Sequence, residues 1–232
     1  MKLENKKALI TGASRGIGAS VAKRFAQEGA EVILVARTIG ALEALDDEIT
    51  ALGGKAVLVP LDLTDFDKID QLGASLYERF GKLDILVGNA GTLGTLTPLT
   101  HADPAMWQKT LDINLTANWR LLRSMDYLLR QSAAGRAMFV SSSAASGAYP
   151  YWGAYGVSKA ALEMLVKTYA AENSGGNIRT NLINPGAVAT SMRKQAFPGE
   201  NQVKLPQPDE ITDIFVQLAS EDCTANGEIF HA

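Results

Sequence analysis

Two kinds of apolar pattern alternate along the chain. Short, nearly continuous apolar runs occur at Lys7–Thr11, Val32–Ala36, Ala56–Leu61, Leu83–Val87, Ala137–Ser141 and Ile178–Ile183, with a weaker one at Glu228–Phe230. Runs of this length without polar alternation read as strands covered on both faces. Between them lie longer segments with apolar residues three and four apart. In Ile17–Glu28 these are Ile17, Val21, Ala22, Phe25 and Ala26, and Gly29 follows as a stop. Leu42–Leu52, Asp65–Phe80, a long segment from about Pro104 to Leu129, Ala154–Ala171 and Glu210–Ala219 have the same character. Strand–helix alternation of this kind predicts an α/β fold with a doubly wound parallel sheet of about seven strands and helices on both faces. Residues 1–232 read as one domain, the default at this length. The least patterned stretch, Arg193–Pro208, contains Pro198, Gly199, Pro206 and Pro208 and is expected to be a loop over a site or a plain surface connection.

Composition narrows the functional classes. Lys and Arg number 22 against 25 Asp and Glu, a formal net charge of −3, which gives no global basic field for nucleic acid. One cysteine, Cys223, excludes an internal disulfide, and His101 and His231 are too scattered for a histidine metal site, so no metal is expected. No segment reaches the ~18 apolar residues of a membrane helix, and the first residues lack the apolar core of a signal peptide. The expected setting is the cytoplasm, without membrane or nucleic-acid partners. Asn114-Leu115-Thr116 matches a glycosylation sequon and is read as a chance match in such a chain.

The first strand runs into Thr11-Gly12-Ala13-Ser14-Arg15-Gly16-Ile17-Gly18, and a helix follows. Glycines between strand and helix permit a sharp turn and let a phosphate approach the helix N–H groups, although a tight βα turn alone would use them too. An NAD site usually places an acid at the end of the second strand. Here Ala36 stands there and Arg37 follows. With Arg15 in the glycine turn, two guanidinium groups and no carboxylate point to the 2′-phosphate of NADP(H). A solvated helix-start residue is the other reading of Arg37.

Tyr155 and Lys159 are one helical turn apart, so phenol and ammonium share a face. A cation beside a phenol is expected to lower its pKa and fit it for proton transfer. Ser142, 13 residues before Tyr155, ends the fifth strand, where ligand crevices open in such sheets. Its neighbours Ser141 and Ser143 read as caps of the strand exit.

Taken in order, Thr11-Gly-x3-Gly-x-Gly18, Asn89-Ala90-Gly91, Ser142 before Tyr155-x3-Lys159, and Asn184-Pro185-Gly186 closely resemble the short-chain dehydrogenase/reductase family over essentially the whole chain. The resemblance implies a Rossmann-type fold and an NADP(H)-dependent oxidoreductase acting on a small carbonyl or alcohol. It implies a catalytic tetrad of Asn114, Ser142, Tyr155 and Lys159. Tyr155 would be the general acid/base and Ser142 would orient the substrate oxygen. Lys159 would hold the nicotinamide ribose, and Asn114 would keep a water in a proton relay to Lys159. Cofactor contacts would come from Gly12, Ser14, Arg15, Gly16, Ile17 and Gly18 at the pyrophosphate. Asp62 and Leu63 would serve the adenine, and Asn89, Ala90 and Gly91 the adenosine side. Pro185, Gly186, Val188 and Thr190 would hold the nicotinamide. The substrate loop would span about residues 191–208. Tyr149, Tyr151 and Trp152 offer apolar contact for a partly apolar substrate, or are core or subunit-contact residues. Arg193 and Lys194 are the cations of the loop.

Two departures stand out. Gly88 replaces the first asparagine of the usual Asn-Asn-Ala-Gly, a loss of local bracing. The family's Gly-rich tail is also missing after the last strand, which leaves a homodimer as the expected assembly and a homotetramer as the larger alternative. A catalytically silent NADP(H)-binding sensor or scaffold is the alternative function.

Overall fold

The computed structural model describes all 232 residues, Met1–Ala232. Seven strands form one parallel sheet in the order β3-β2-β1-β4-β5-β6-β7. They are β1 Lys7–Thr11, β2 Glu31–Ala36, β3 Lys55–Pro60, β4 Ile85–Gly88, β5 Arg136–Val140, β6 Arg179–Asn184 and β7 Ile229–His231. The seven predicted strands are all present, with ends shifted by one or two residues. The chain winds outward from β1 to β3, then returns to place β4 on the other side of β1, and this reversal opens a crevice at the carboxyl ends of β1 and β4.

Continuous apolar strands are explained by cover on both faces. Alternate residues of one strand enter different cores: Ala8 and Ile10 join one cluster, and Leu9 between them joins the other. The first face is covered by α1 (Gly16–Gln27) through Val21 and Phe25, and by α2 (Ile39–Ala51) through Leu42 and Ile49. The second face is covered by α3 (Phe66–Phe80) through Ile69 and Leu76.

The long segment predicted from Pro104 to Leu129 is not one regular helix. α4 (Pro104–Leu111) passes into a π-helical turn at Asp112–Thr116 before α5 (Ala117–Arg130) resumes. Apolar periodicity is blind to this extra residue in the turn, because each flank keeps its own face. α5 and α6 (Gly153–Glu172) complete the second face through Leu121, Met125, Leu162 and Val166. The Arg193–Pro208 stretch is more ordered than its composition predicts. α7 (Ser191–Ala196) is capped by the Thr190 hydroxyl, which accepts from the Arg193 N–H at 3.1 Å. A single 3₁₀ turn follows at Gln202–Lys204. A second, Pro208–Ile211, leads into α8 (Thr212–Ala219), whose Phe215 enters the first core. No helix is long and apolar enough to cross a membrane, and no cluster of three or more His, Cys, Asp or Glu residues is placed to bind a metal.

α3 and α5 touch through Gly73. A Cβ there would fall 2.3 Å from the Ser124 hydroxyl and 2.5 Å from its carbonyl oxygen. The Ser124 hydroxyl itself donates to the Ile69 carbonyl at 2.9 Å. Gly73→Ala should therefore lose about 1–3 kcal/mol by overpacking, against the ~1 kcal/mol that alanine gains in helix propensity. Urea unfolding measures this, and a more stable variant would show that the two helices separate freely.

Candidate active site

The glycine turn is held by a clasp between β1 and β4. The Asn89 side chain donates to the Thr11 carbonyl at 2.9 Å and to the Gly12 carbonyl at 3.3 Å. The backbone N–H groups of Asn89 and Ala90 both donate to the Thr11 hydroxyl at 3.1 Å. Gly12 has φ of 64°, and a Cβ there would meet Ala90 Cα at 2.9 Å. Backbone conformation and space thus both require glycine. Gly18 is required differently: a Cβ would fall 2.3 Å from the Gly12 carbonyl oxygen, so only glycine lets α1 start beneath the turn. Gly18 does not line the cleft, whereas Gly12, Ser14, Arg15, Gly16 and Ile17 do. In the structure Gly18 supports the turn from below.

A cleft of about 540 Å³ runs from this turn along the carboxyl ends of the strands. At one end stand Arg37, Asp62 and Leu63. Asp62 accepts from the Thr64 N–H and hydroxyl, both at 2.9 Å, and these bonds, the backbone one foremost, hold its carboxyl below the usual carboxylate range. An Arg37 nitrogen lies 4.0 Å from Asp62 with its side chain 64% exposed, so the guanidinium remains open to a further anion. Lys109 of α4 lines the same end and adds to the field on Asp62. Sequence reasoning missed it because nothing in its spacing marks a lysine in mid-helix. Asn89, Ala90 and Gly91 form the cleft's middle, and Pro185, Gly186, Val188 and Thr190 its far wall.

At the other end the four expected catalytic residues converge. Ser142 lies two residues past the end of β5 and caps a 3₁₀ turn by accepting from the Ala144 N–H at 3.2 Å, and its hydroxyl acts on the Tyr155 phenol to favour the ionised form. Ser141 is turned elsewhere and donates to Glu163 at 2.6 Å. Lys159 is buried and donates to the Val140 carbonyl at 2.7 Å. Asn114 is fully buried within the π turn and does not line the cleft. Its oxygen accepts from the Thr92 N–H at 2.8 Å, and its amide donates to the Thr92 carbonyl and the Ser158 hydroxyl, each at 2.9 Å. Ser158 in turn donates to the Tyr155 carbonyl at 2.7 Å. This serine ties Asn114 to the helix that carries Tyr155, and a residue between Tyr155 and Lys159 gave no separate signal in sequence. Asn114 and Lys159 meet at Gly91, where a Cβ would lie 3.3 Å from Asn114 Oδ1 and 3.7 Å from Lys159 Nζ.

The bracing expected to be lost at Gly88 is replaced. A Cβ there would strike the Phe139 ring at 2.3 Å and Asn118 Oδ1 at 2.6 Å, so those side chains fill the space. Buried Asn118 donates to the Asn114 carbonyl at 2.8 Å and steadies the π turn from α5.

The electrostatics correct a second expectation. The Tyr155 phenol is pushed above its ordinary range by burial, with the Ser142 hydrogen bond pulling the other way. Lys159 lies 5.8 Å from the ring centroid and spends a proton on Val140, so it does not bring Tyr155 toward phenolate. Burial also brings the Lys159 ammonium down to about 8. Both groups lack water, and each therefore favours its neutral form.

Of the three aromatic residues before Tyr155, Trp152 lines the cleft, while Tyr149 and Tyr151 are half or more exposed. The Trp152 ring stands 5.8 Å from that of Tyr155 and 5.7 Å from that of Phe197 on the loop after α7. A small apolar cluster of Leu93, Ala144, Trp152, Met192 and Ala196 surrounds Tyr155.

A doubly wound parallel sheet with a glycine turn and a cleft at its strand reversal is the dinucleotide-binding form of the α/β fold. The chain belongs to the short-chain dehydrogenase family, whose model matches residues 6–201. The oxidoreductase YciK of Escherichia coli K12 is 34% identical over 223 residues, covering 95% of this chain and 88% of that protein. A short-chain dehydrogenase structure from Pseudomonas syringae superposes with a TM-score of 0.96 at 36% identity, over 99% of this chain and 95% of that one. An Escherichia coli CFT073 short-chain dehydrogenase in complex with NADPH gives 0.93 at 34% identity, over 99% and 98%.

Lys159 supplies a measurable consequence. Its proton leaves near pH 8 in the folded protein and near 10.5 in the unfolded chain. The unfolded state binds more protons between these values, so the lysine costs stability below about pH 8 and the cost fades as pH rises toward 10.5. Lys159→Met should stabilise the cofactor-free protein by about 2–3 kcal/mol near pH 7, with the gain shrinking toward pH 10. Urea unfolding of both proteins across this range checks it; a gain that grew with pH would contradict the burial cost.

Proposed function

We propose that this protein is an NADP(H)-dependent reductase of small carbonyl compounds, working reversibly on the corresponding alcohols. The observation that carries the reading is a buried Tyr155 phenol that shares the cleft lining with Ser142 and with Lys159 one helical turn away, at the inner end of a dinucleotide-sized cleft. The cleft fits such a cofactor: Gly186, at φ 67°, has no heavy atom within 4 Å of where a Cβ would stand, which leaves open space at the nicotinamide wall. When bound, the nicotinamide supplies the hydride. Ser142 donates toward the substrate oxygen, and Tyr155 donates its proton to that oxygen as charge develops there. A phenol held above its ordinary pKa by burial keeps that proton until the carbonyl draws on it. Lys159 would bind the ribose and restore the proton, with Asn114 holding the relay in place through Thr92 and Ser158. The test is NADPH oxidation with a carbonyl panel. Tyr155→Phe should lower kcat/KM by about 10²–10⁴-fold while NADPH still binds. Unchanged turnover would remove Tyr155 from the proton step, and binding of NADPH without turnover of any carbonyl by wild type would favour the silent binder.

The preference for NADP(H) rests on Arg37 and Arg15, both on the cleft, and on Ala36, which presents no carboxylate. Arg37→Ala should weaken NADPH about ten- to a hundredfold with little effect on NADH. Ala36→Asp should reverse the preference, because it adds repulsion as well as a ribose partner. Dissociation constants for both reduced cofactors decide it, and tighter wild-type binding of NADH would overturn the assignment.

A further inference from the structure

A substrate carrying a carboxylate or phosphate needs a free cation where it binds, because desolvating an unpaired anion is costly. The cleft has five cationic side chains, and their places can be accounted for. Arg15 sits in the glycine turn, while Arg37 and Lys109 stand with Asp62 at the far end. Lys159 is buried on Val140. Arg193 alone belongs to the substrate end, on α7 beside Met192 and Ala196. The loop's other cation, Lys194, is exposed and does not line the cleft.

Arg193 is not free. Its Nε and one terminal nitrogen each donate to a Glu200 carboxylate oxygen at 2.6 Å, a bidentate pair. Its guanidinium carbon lies 3.9 Å from the centroid of the Phe197 ring. Phe197 in turn meets Trp152, the aromatic wall nearest Tyr155. Both partners of the ion pair are about three-quarters buried, at 26% and 27% side-chain exposure. An anionic substrate reaching Arg193 would have to displace Glu200, exchanging one carboxylate partner for another and leaving two anions close together. What remains around Tyr155 is the apolar collar of Leu93, Trp152, Met192 and Ala196.

We propose that Glu200 sets the charge selectivity of the site by holding Arg193, so that the enzyme takes uncharged apolar carbonyl compounds and rejects carboxylates and phosphates. This rests on the cleft being the reductase site. Glu200 acts through Arg193 and is a specificity-determining residue, not a catalytic one.

The experiment uses a matched pair, methyl benzoylformate and benzoylformate, titrated calorimetrically into the protein with saturating NADP+ and in parallel without it. Binding is then read whether or not turnover occurs. The wild type should bind the ester about tenfold or more tightly than the acid. Glu200→Gln, which frees the guanidinium, should tighten the acid by about tenfold and narrow the ratio. The double variant Arg193→Gln, Glu200→Gln should return the ratio to near its wild-type value, a pattern that a general loosening of the loop would not give. Equal wild-type affinity for the two ligands, no ester binding at all, or a ratio indifferent to Glu200→Gln would each overturn the proposal. An ester that binds but is not reduced by NADPH would count against the reductase reading and leave the selectivity result standing.

Discussion

The site depends first on the clasp that Asn89 and Thr11 make across the reversal in strand order. Neighbouring parallel strands bring their carboxyl ends level, but their loops would diverge without a bond between them. The Asn89 amide pins the turn after β1 to the end of β4, and the close seat of Gly18 lets α1 begin directly below. Gly16 and Ile17, at the start of that helix, then line the cleft. The same β4 exit continues to Gly91, beside Asn114 and Lys159. One amide thus fixes both the glycine turn and the strand exit that reaches Asn114 and Lys159.

A second constraint is the removal of water from Tyr155 and Lys159. A buried ammonium whose one assigned hydrogen bond goes to a carbonyl is poorly compensated, and proteins tolerate such arrangements mainly where function requires them. The surrounding fold offsets the cost through two large cores, one on each face of the sheet. Burial makes neutral Tyr155 hold its proton more tightly than a free phenol and Lys159 release its own more readily, so the lysine is the better proton source of the two.

Much of this was legible in the chain. Seven apolar runs marked seven strands, and the order of Gly12–Gly18, Asn89–Gly91, Ser142, Tyr155 and Lys159 marked the cleft. Periodicity hid the π turn, since α4 and α5 each keep an apolar face on either side of it. Spacing placed Tyr155 and Lys159 on one helical face but could not show that Nζ bonds to Val140 instead of approaching the phenol. The Arg193–Pro208 stretch read as unpatterned because its order comes from a Thr190 cap and an Arg193–Glu200 pair, neither of which leaves a hydrophobic period. The contribution of Asn118 was invisible for a related reason: it answers a missing side chain at Gly88, thirty positions away in sequence.

The π turn at Asp112–Thr116 has a bearing on how such a chain can vary. An α-helix advances ~100° per residue, and the wider π turn takes up one more residue without passing that rotation on to α5. Leu121, Leu122, Met125, Leu128 and Leu129 therefore stay buried in the phase that a regular helix would also give them. Deleting one residue within the turn would leave this row in the core while moving Asn114 off its place against Thr92. The core is thus indifferent to the insertion, and what holds it in the chain is the position it gives one buried amide.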